Sequence, residues 1–162
     1  MTAGYYQIPL KEESKKLTAF LTPDGLFEHN VMPFGLVNAP MYFQEAMLEL
    51  IQGLACRTKV ISYVDEVIIV TASISEGFEA LKEFLQALRD AGMTLRPSKC
   101  VLLDERVDFL GRIISSTGIR PGKKKIRCIE QYPIPTSTTD IRRFLGITGF
   151  FRVLNLSVTI VI

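Results

Sequence analysis

Two adjacent acids, Asp65 and Glu66, lie between two apolar runs at residues 60–64 and 67–71. The Val, Ile and Tyr residues of these runs favour a pleated, half-buried surface, so the pattern predicts a buried hairpin with both acids at its bend. Neighbouring carboxylates close to a core cost free energy unless a cation or hydrogen bonds compensate them. The pair therefore indicates a metal site. Acidic residues are also common in solvated hairpin turns, and the pair alone leaves that alternative open.

The segments around the acids alternate hairpins and helices. A hairpin with a Pro-Asp-Gly turn is predicted over residues 17–31, and apolar residues at three-to-four spacing predict a helix over 40–54. After the acids, Ser73 or Ser75 can cap a second helix that Gly92 ends. The apolar positions are Phe43, Met47, Leu48, Leu50, Ile51 and Leu54 in the first helix and Phe78, Leu81, Leu85 and Leu88 in the second.

The rest of the chain adds one strand and two helices. Residues 107–114 have the composition of a strand that leads into a turn, and residues 122–131 and 138–152 have helical patterns. Thr138 or Thr139 is the predicted cap of the last helix. Antiparallel strands with helices on one face predict an α+β fold rather than a parallel sheet, with the acids at an exposed end of the sheet.

Composition sets broad limits on function. The 162 residues are 48% hydrophobic and 22% charged, enough for one sizeable core or a domain with an appended subdomain. A net charge of +2 does not by itself indicate a nucleic-acid partner.

Three widely spaced cysteines argue against a disulfide framework and predict reduced thiols in an intracellular protein. The N-terminus lacks the pattern of a secretory signal, and the apolar residues 153–162 are too few to cross a bilayer as a helix.

Several short blocks occur in a characteristic order and spacing. Together they resemble the polymerase core of reverse transcriptases of long-terminal-repeat retrotransposons, closest in appearance to gypsy-like elements, where this core is a fragment of the pol polyprotein. The resemblance covers about residues 3–152. The blocks are Gly4-Tyr5-Tyr6-Gln7-Ile8-Pro9, residues 32–40, Phe43-Gln44, Tyr63-Val64-Asp65-Glu66, Phe109-Leu110-Gly111 and Arg143-Phe144-Leu145-Gly146.

The resemblance implies a right-hand polymerase fold, whose palm is a small antiparallel sheet backed by helices. Residues 1–115 would form part of the fingers and the palm, and residues 116–152 the start of the thumb. Residues 153–162 depart from the family as a divergent apolar tail, for which a contact strand or an aggregation-prone segment is the physical expectation.

The resemblance also implies a reaction. In the family, a primer 3′-hydroxyl attacks the α-phosphate of a deoxynucleoside triphosphate, and two Mg²⁺ ions, for which Mn²⁺ can substitute, stabilise the reacting oxygens. Asp65 matches the first of the paired metal-binding aspartates, and Glu66 stands where the family usually has the second. Glutamate keeps the charge but adds a methylene group. Both are therefore candidate catalytic and metal-binding residues.

A third aspartate of the family lies five residues before the position of Tyr5, which would place it one residue before Met1. With one matched aspartate, one altered acid and one missing ligand, we expect this isolated chain to be inactive. A longer product that supplies the remaining polyprotein would restore the ligand.

Other matched positions carry implied roles in binding. Tyr5 would exclude a ribose 2′-hydroxyl, and Phe34 and Gly35 would border the incoming nucleotide. Phe109, Leu110 and Gly111 would grip the primer terminus. The implied partners are an RNA or DNA template with its primer, deoxynucleoside triphosphates and the rest of the pol polyprotein, with no membrane. Taken from the residues alone, a core tyrosine is the favoured interpretation of Tyr5, and Phe109-Leu110-Gly111 is an ordinary strand segment.

Two further functions remain open. One is a non-catalytic remnant that binds nucleic acid weakly through its basic residues and the Phe109-Leu110-Gly111 segment. The other is a protein-interaction module that uses the palm as a scaffold and the apolar tail as a contact strand.

Overall fold

The structure is a computed structural model that describes residues 3–149. The chain forms two compact units: unit 1 is Met1–Leu103 and unit 2 is Asp104–Ile162. The predicted tail at 153–162, the block Phe150-Phe151-Arg152 and the end of the predicted last helix lie outside the described residues. None of the helices within residues 3–149 has the length and apolar character needed to cross a membrane.

Unit 1 contains two small antiparallel hairpins and two long helices. Phe20 pairs with Phe27 in the first hairpin, and Val60 pairs with Ile69 in the second. The predicted hairpin at 17–31 is confirmed with shorter strands. In chain order the elements are α1 (Glu12–Lys15), β1 (Phe20–Thr22), β2 (Gly25–Phe27), α2 (Ala39–Gln52), β3 (Val60–Tyr63), β4 (Glu66–Ile69) and α3 (Ile74–Asp90).

The core of unit 1 lies between α2, α3 and the start of β3. Phe43 and Met47 of α2 are fully buried, and Val60 of β3 belongs to the same cluster. Burying each large apolar side chain contributes about 1.5–3 kcal/mol relative to leaving it exposed. This packing holds α2 in place as a support for the residues that its N-terminal half contacts.

The predicted apolar face of α3 is only partly correct. Ala80, Phe84 and Leu88 are buried, whereas Phe78 and Leu85 are exposed. Residues four apart lie on one helical face, so the row through Phe84 faces α2 and the row through Phe78 and Leu85 turns outward. The predicted cap is confirmed at Ser73, whose hydroxyl accepts from the Glu76 N–H at 3.3 Å.

Unit 2 contains a three-stranded antiparallel sheet, β5 (Arg106–Phe109), β6 (Arg112–Ser115) and β7 (Gly118–Pro121), followed by α4 (Lys123–Glu130) and α5 (Thr138–Gly149). The prediction of one strand over 107–114 is wrong. Leu110 and Gly111 adopt φ values of 53° and 72°, which turn the chain back after Phe109. Apolar composition alone does not reveal a turn that begins with leucine.

The cap of α5 also differs from the prediction. Ser137 Oγ accepts from the Asp140 N–H at 3.2 Å, and the Asp140 carboxylate accepts from the Ser137 N–H at 3.1 Å. This reciprocal pair satisfies two backbone donors at the start of the helix. Ser137 therefore caps the helix, and Thr138 is its first residue.

Candidate functional site

The acidic pair lies at the tip of the β3–β4 hairpin. Tyr63 pairs with Glu66, so Val64 and Asp65 form the turn and Glu66 begins β4. Asp65 and Glu66 are both exposed, as expected for acids at an exposed end of the sheet, whereas the hairpin that carries them is only partly buried. The hairpin buries Val60 and Ile68 farther down, and its tip projects from that packing. Because the two carboxylates remain in contact with water, no cation is needed to compensate for their burial. They are, however, accessible to an ion or a substrate.

Val64, the residue before Asp65, has an unusual backbone conformation. Its φ is 52°, in the left-handed region that β-branched residues rarely adopt. A conformation of this kind costs about 1–3 kcal/mol and persists only where surrounding contacts impose it. The Val64 side chain is half-buried and packs against the core of unit 1. The turn that carries Asp65 is thus held in a strained form by its environment.

The main contact on this turn comes from Gln44, in the second turn of α2. Its Oε1 accepts from the Val64 N–H at 2.5 Å, and its Nε2 lies 3.3 Å from the Ser62 carbonyl oxygen and 3.2 Å from Ser62 Oγ. Sequence reasoning included Gln44 only as a member of a motif. Its role depends on a contact between residues 20 apart, for which the sequence pattern contains no direct signal.

Tyr5 and Phe34 come together, as their shared assignment to a nucleotide site requires. Their ring centroids are 5.1 Å apart, and the Tyr5 ring also lies 5.7 Å from Phe43. Phe34 is 59% exposed, whereas Phe43 is buried in the core. Because Phe43 and Gln44 are neighbours in α2, the same part of this helix supports the aromatic cluster and the acidic turn.

Gly35 follows Phe34 with a φ of 97°, a conformation that side-chain-bearing residues rarely adopt. A Cβ at this position would meet no atom within 4 Å. The backbone conformation, rather than lack of space within the chain, therefore calls for glycine here.

The other predicted site residues, Phe109, Leu110 and Gly111, lie in unit 2, whereas Tyr5, Phe34, Gly35, Asp65 and Glu66 lie in unit 1. Phe109 is buried at the end of β5, and Leu110 and Gly111 form the turn to β6. The segment is a tight hairpin rather than the interior of a strand.

The donor set at the acidic turn consists of carboxylate oxygens, the ligands that Mg²⁺ prefers. Within residues 3–149, no group of three or more His, Cys, Asp or Glu side chains is arranged to hold a metal ion. Mg²⁺ is commonly bound in proteins through one or two carboxylates together with water and substrate phosphates. The carboxylate oxygens of Asp65 and Glu66 are ligands of the type that this mode of Mg²⁺ binding uses.

The family model described as reverse transcriptase (RNA-dependent DNA polymerase) matches residues 1–114. The chain belongs to this family. It is 39% identical over 152 residues to the retrovirus-related Pol polyprotein from transposon 297 of Drosophila melanogaster, covering 94% of this chain and 14% of that polyprotein. It is 33% identical over 156 residues to the Pol polyprotein from transposon gypsy of the same organism, covering 94% and 15%. This reverse transcriptase chain therefore spans about one seventh of the length of these relatives.

Solved structures support the same fold. The foamy viral protease-reverse transcriptase in complex with an RNA/DNA hybrid has a TM-score of 0.77 and 26% identity, and covers 92% of this chain and 20% of that chain. A form of the same enzyme in complex with double-stranded DNA has a TM-score of 0.82 and 26% identity, covering 92% and 26%. The predicted α+β polymerase fold, with small antiparallel sheets and packed helices, is confirmed.

Proposed function

We propose that this chain provides the palm and part of the fingers of a retrotransposon RNA-directed DNA polymerase, whose reaction is nucleotidyl transfer to a primer 3′-hydroxyl. The observation that carries the proposal is the exposed acidic tip of the β3–β4 hairpin, anchored to α2 in a chain of the reverse transcriptase family. The domain boundaries at 115 and 152 are part of this proposal.

Asp65 and Glu66 are the proposed metal-binding and catalytic residues, with Mg²⁺ as the resident ion and Mn²⁺ as a substitute. When bound, the ion supplies charge stabilisation for the attacking and leaving oxygens. The turn conformation directs the short Asp65 side chain, while Glu66 begins β4 with a side chain one methylene longer. Because catalytic positioning is sensitive to displacements of about 1 Å, the longer acid at position 66 lowers the rate of nucleotidyl transfer.

Tyr5, Phe34 and Gly35 are the proposed wall of the nucleotide site. The Tyr5 ring contacts both the buried Phe43 and the exposed Phe34, so it is held against the core and lies beside an exposed ring. A rigid aromatic ring in this position restricts the space available to a ribose 2′-hydroxyl. Deoxynucleoside triphosphates are the corresponding substrates.

A primer-template is the proposed partner, and the charge of unit 2 supports it. Residues 104–149 contain nine Lys and Arg against five Asp and Glu. Lys123, Lys124 and Lys125 occupy the first turn of α4, where cations are unfavourable to the helix dipole by about 0.3–1 kcal/mol each. The three lysines therefore do not stabilise the helix, whereas their positive charge would attract the phosphates of a nucleic acid. Phe109, Leu110 and Gly111 lie in the same unit and are the proposed contact with the primer terminus.

The isolated chain is proposed to be inactive in polymerisation. Two-metal transfer in this family requires a third carboxylate beside the turn, and residues 3–149 do not bring one to Asp65 and Glu66. Further residues of a pol polyprotein would supply the third carboxylate. The function of this chain is therefore that of one part of a longer polymerase.

Primer extension tests this assignment. The purified chain is incubated with a primed RNA or DNA template, deoxynucleoside triphosphates and Mg²⁺ or Mn²⁺, and no template-directed extension is expected. Extension that disappears in an Asp65→Asn variant would overturn the proposed inactivity and establish Asp65 as catalytic. The Asp24→Asn variant is the matched control, because Asp24 lies in the turn of the other hairpin of unit 1.

Binding to the primer-template is measured separately as a function of salt. Affinity is expected to fall with added salt, and each lost phosphate contact lowers the slope of log affinity against log salt by about 0.7–0.9. A Lys123→Gln/Lys124→Gln double variant should show this lower slope. The Lys16→Gln/Lys82→Gln variant removes two exposed lysines of unit 1 and controls for net charge. No binding at low salt would instead favour the protein-interaction function.

A further inference from the structure

The side-chain amide of Gln44 is fully used by the β3–β4 hairpin. Its oxygen accepts from the Val64 N–H, and its nitrogen donates to the carbonyl and hydroxyl oxygens of Ser62. Val64 lies in the turn, so its N–H is outside the ladder that pairs Tyr63 with Glu66. Gln44 thereby supplies a hydrogen-bond acceptor for a backbone N–H that has none within the strand pairing of the hairpin.

Gln44 also acts at the point where the turn is most strained. Val64 has a φ of 52°, and the next residue is Asp65. A change of φ at Val64 would rotate every atom that follows it, including the Asp65 carboxylate. The contact from Gln44 therefore opposes relaxation of Val64 toward the extended conformation that valine prefers.

The helix that carries Gln44 is packed against the core on both sides of that residue in the sequence. Phe43 immediately before it and Met47 three residues after it are both fully buried. Gln44 itself is half-buried, which limits competition from water for its hydrogen bonds. The amide is thus a short, rigid connection between the packed face of α2 and the acidic turn.

We propose that Gln44 is a positioning residue that fixes the backbone of Val64 and thereby aims Asp65 at the metal. The metal role of Asp65 rests on the function proposed above, but the hold on Val64 does not. Glutamine is the residue that meets the geometry. Asparagine is one methylene too short, glutamate keeps the acceptor but loses the donors, and methionine keeps the length but loses both.

The first test measures the turn in the unmodified chain by NMR. A residue with φ near +50° gives a strong cross-peak between its own amide and α protons, and Val64 is expected to show one. Its amide is also expected to exchange slowly with deuterium, because Gln44 accepts its hydrogen bond. Fast exchange of the Val64 amide would overturn the proposal without any substitution.

The second test compares Gln44→Met with Gln52→Met, which makes the same change at an exposed residue of the same helix. Gln44→Met should lose the strong Val64 cross-peak and the protection of its amide, and Gln52→Met should retain both. Gln44→Glu should restore the cross-peak, because a carboxylate oxygen can still accept from Val64. A cross-peak unchanged in Gln44→Met, or lost in Gln44→Glu, would contradict the proposal.

The third test adds Mn²⁺ and follows paramagnetic broadening of the Asp65 and Glu66 amides. Broadening in the unmodified chain that weakens in Gln44→Met supports positioning of Asp65 for the metal. Equal broadening in both overturns that positioning role. If the unmodified chain shows no broadening at the turn, the proposed metal role of Asp65 fails, while the cross-peak and exchange results still decide whether Gln44 holds Val64.

Discussion

The backbone N–H of Gly122 donates to the carbonyl oxygen of Gly111 at 2.9 Å. A Cβ at Gly122 would lie 2.7 Å from that oxygen, closer than real Cβ atoms approach another atom, and a tight 3.2 Å from the carbonyl carbon. The hydrogen bond joins the turn after Phe109 to the start of α4. The conformation of this turn therefore depends on glycine at a position 11 residues away in the sequence.

The Gly122→Ala substitution is expected to destabilise unit 2. The added methyl group must displace backbone rather than a flexible side chain, and overpacking of this kind costs about 1–3 kcal/mol. The φ of Gly122 is −65°, so alanine adds no backbone strain of its own. Denaturant unfolding, combined with hydrogen exchange of the β5, β6 and β7 amides, measures the loss.

The control for this experiment is Gly146→Ala in α5. A Cβ there would meet no atom within 4 Å, and alanine is favoured over glycine in a helix by about 1 kcal/mol. The two substitutions are chemically identical and should have opposite signs. Equal effects would show that contact with Gly111 does not decide the outcome.

Glu76 should make the stability of unit 1 depend on pH. Its carboxylate pairs with Lys59 and also accepts from the Ala72 N–H at 2.8 Å, and these contacts, the Lys59 contact first, lower the pKa of Glu76 below its ordinary value of 4.5. A lowered pKa in the folded state stabilises the fold above the unfolded pKa. That contribution is lost as the pH falls through the lower folded pKa.

The measurement compares the free energy of unfolding of the unmodified chain and of Glu76→Gln across the acidic range. The difference between them should be largest near neutral pH and shrink as the pH falls below about 4.5. The Glu79→Gln variant removes an exposed carboxylate of the same helix, α3, and controls for net charge. A difference that is constant with pH would contradict the role of Glu76.

The long helices and both hairpins of unit 1 could be predicted because their signals are local. The spacing of Phe43, Met47 and Ile51 matches one helical face, and Ser73 gives the cap that begins α3. The turn at Asp24 has the composition that favours a hairpin. In each case the residues that determine the structure are within a few positions of one another.

The missed features depend on contacts between distant residues. Val64 adopts a left-handed backbone because Gln44 accepts its N–H, and the turn at Leu110 is held by the hydrogen bond from Gly122 to Gly111. Valine and leucine normally disfavour this conformation, so local propensity does not predict the left-handed backbone at either turn. The exposed position of the acids was predicted, whereas the partial exposure of the flanking strands was not, because their apolar composition indicated a buried hairpin.

Cys56 is expected to react slowly with alkylating reagents. It is buried, and burial together with the nearby Glu83 carboxylate raises the pKa of its thiol. The thiolate is the nucleophile, so a raised pKa and restricted access both reduce the rate. Cys100 and Cys128 are exposed and serve as references within the same chain.

Time-resolved mass spectrometry after iodoacetamide treatment gives all three rates in one experiment. In the folded chain Cys100 and Cys128 should be modified well before Cys56, and the order should vanish in denaturant. In a Glu83→Gln variant, iodoacetamide should modify Cys56 faster, because the substitution removes a negative charge beside the thiol. Equal rates at the three cysteines in the folded chain would show that Cys56 is accessible in solution.

The Gly35→Ala substitution tests why glycine is needed at position 35. Glycine could be required by the backbone conformation or by the space that a bound nucleotide needs. The φ of 97° should make alanine unfavourable by about 1–2 kcal/mol even though no atom of the chain lies near the added methyl group. Gly53→Ala is the control, because Gly53 has a φ of −71° and an ordinary 3.5 Å contact, and alanine there should be neutral or slightly stabilising. Thermal unfolding without nucleotide measures both variants. If Gly35→Ala is as stable as the unmodified chain, the glycine serves only the approach of a ligand.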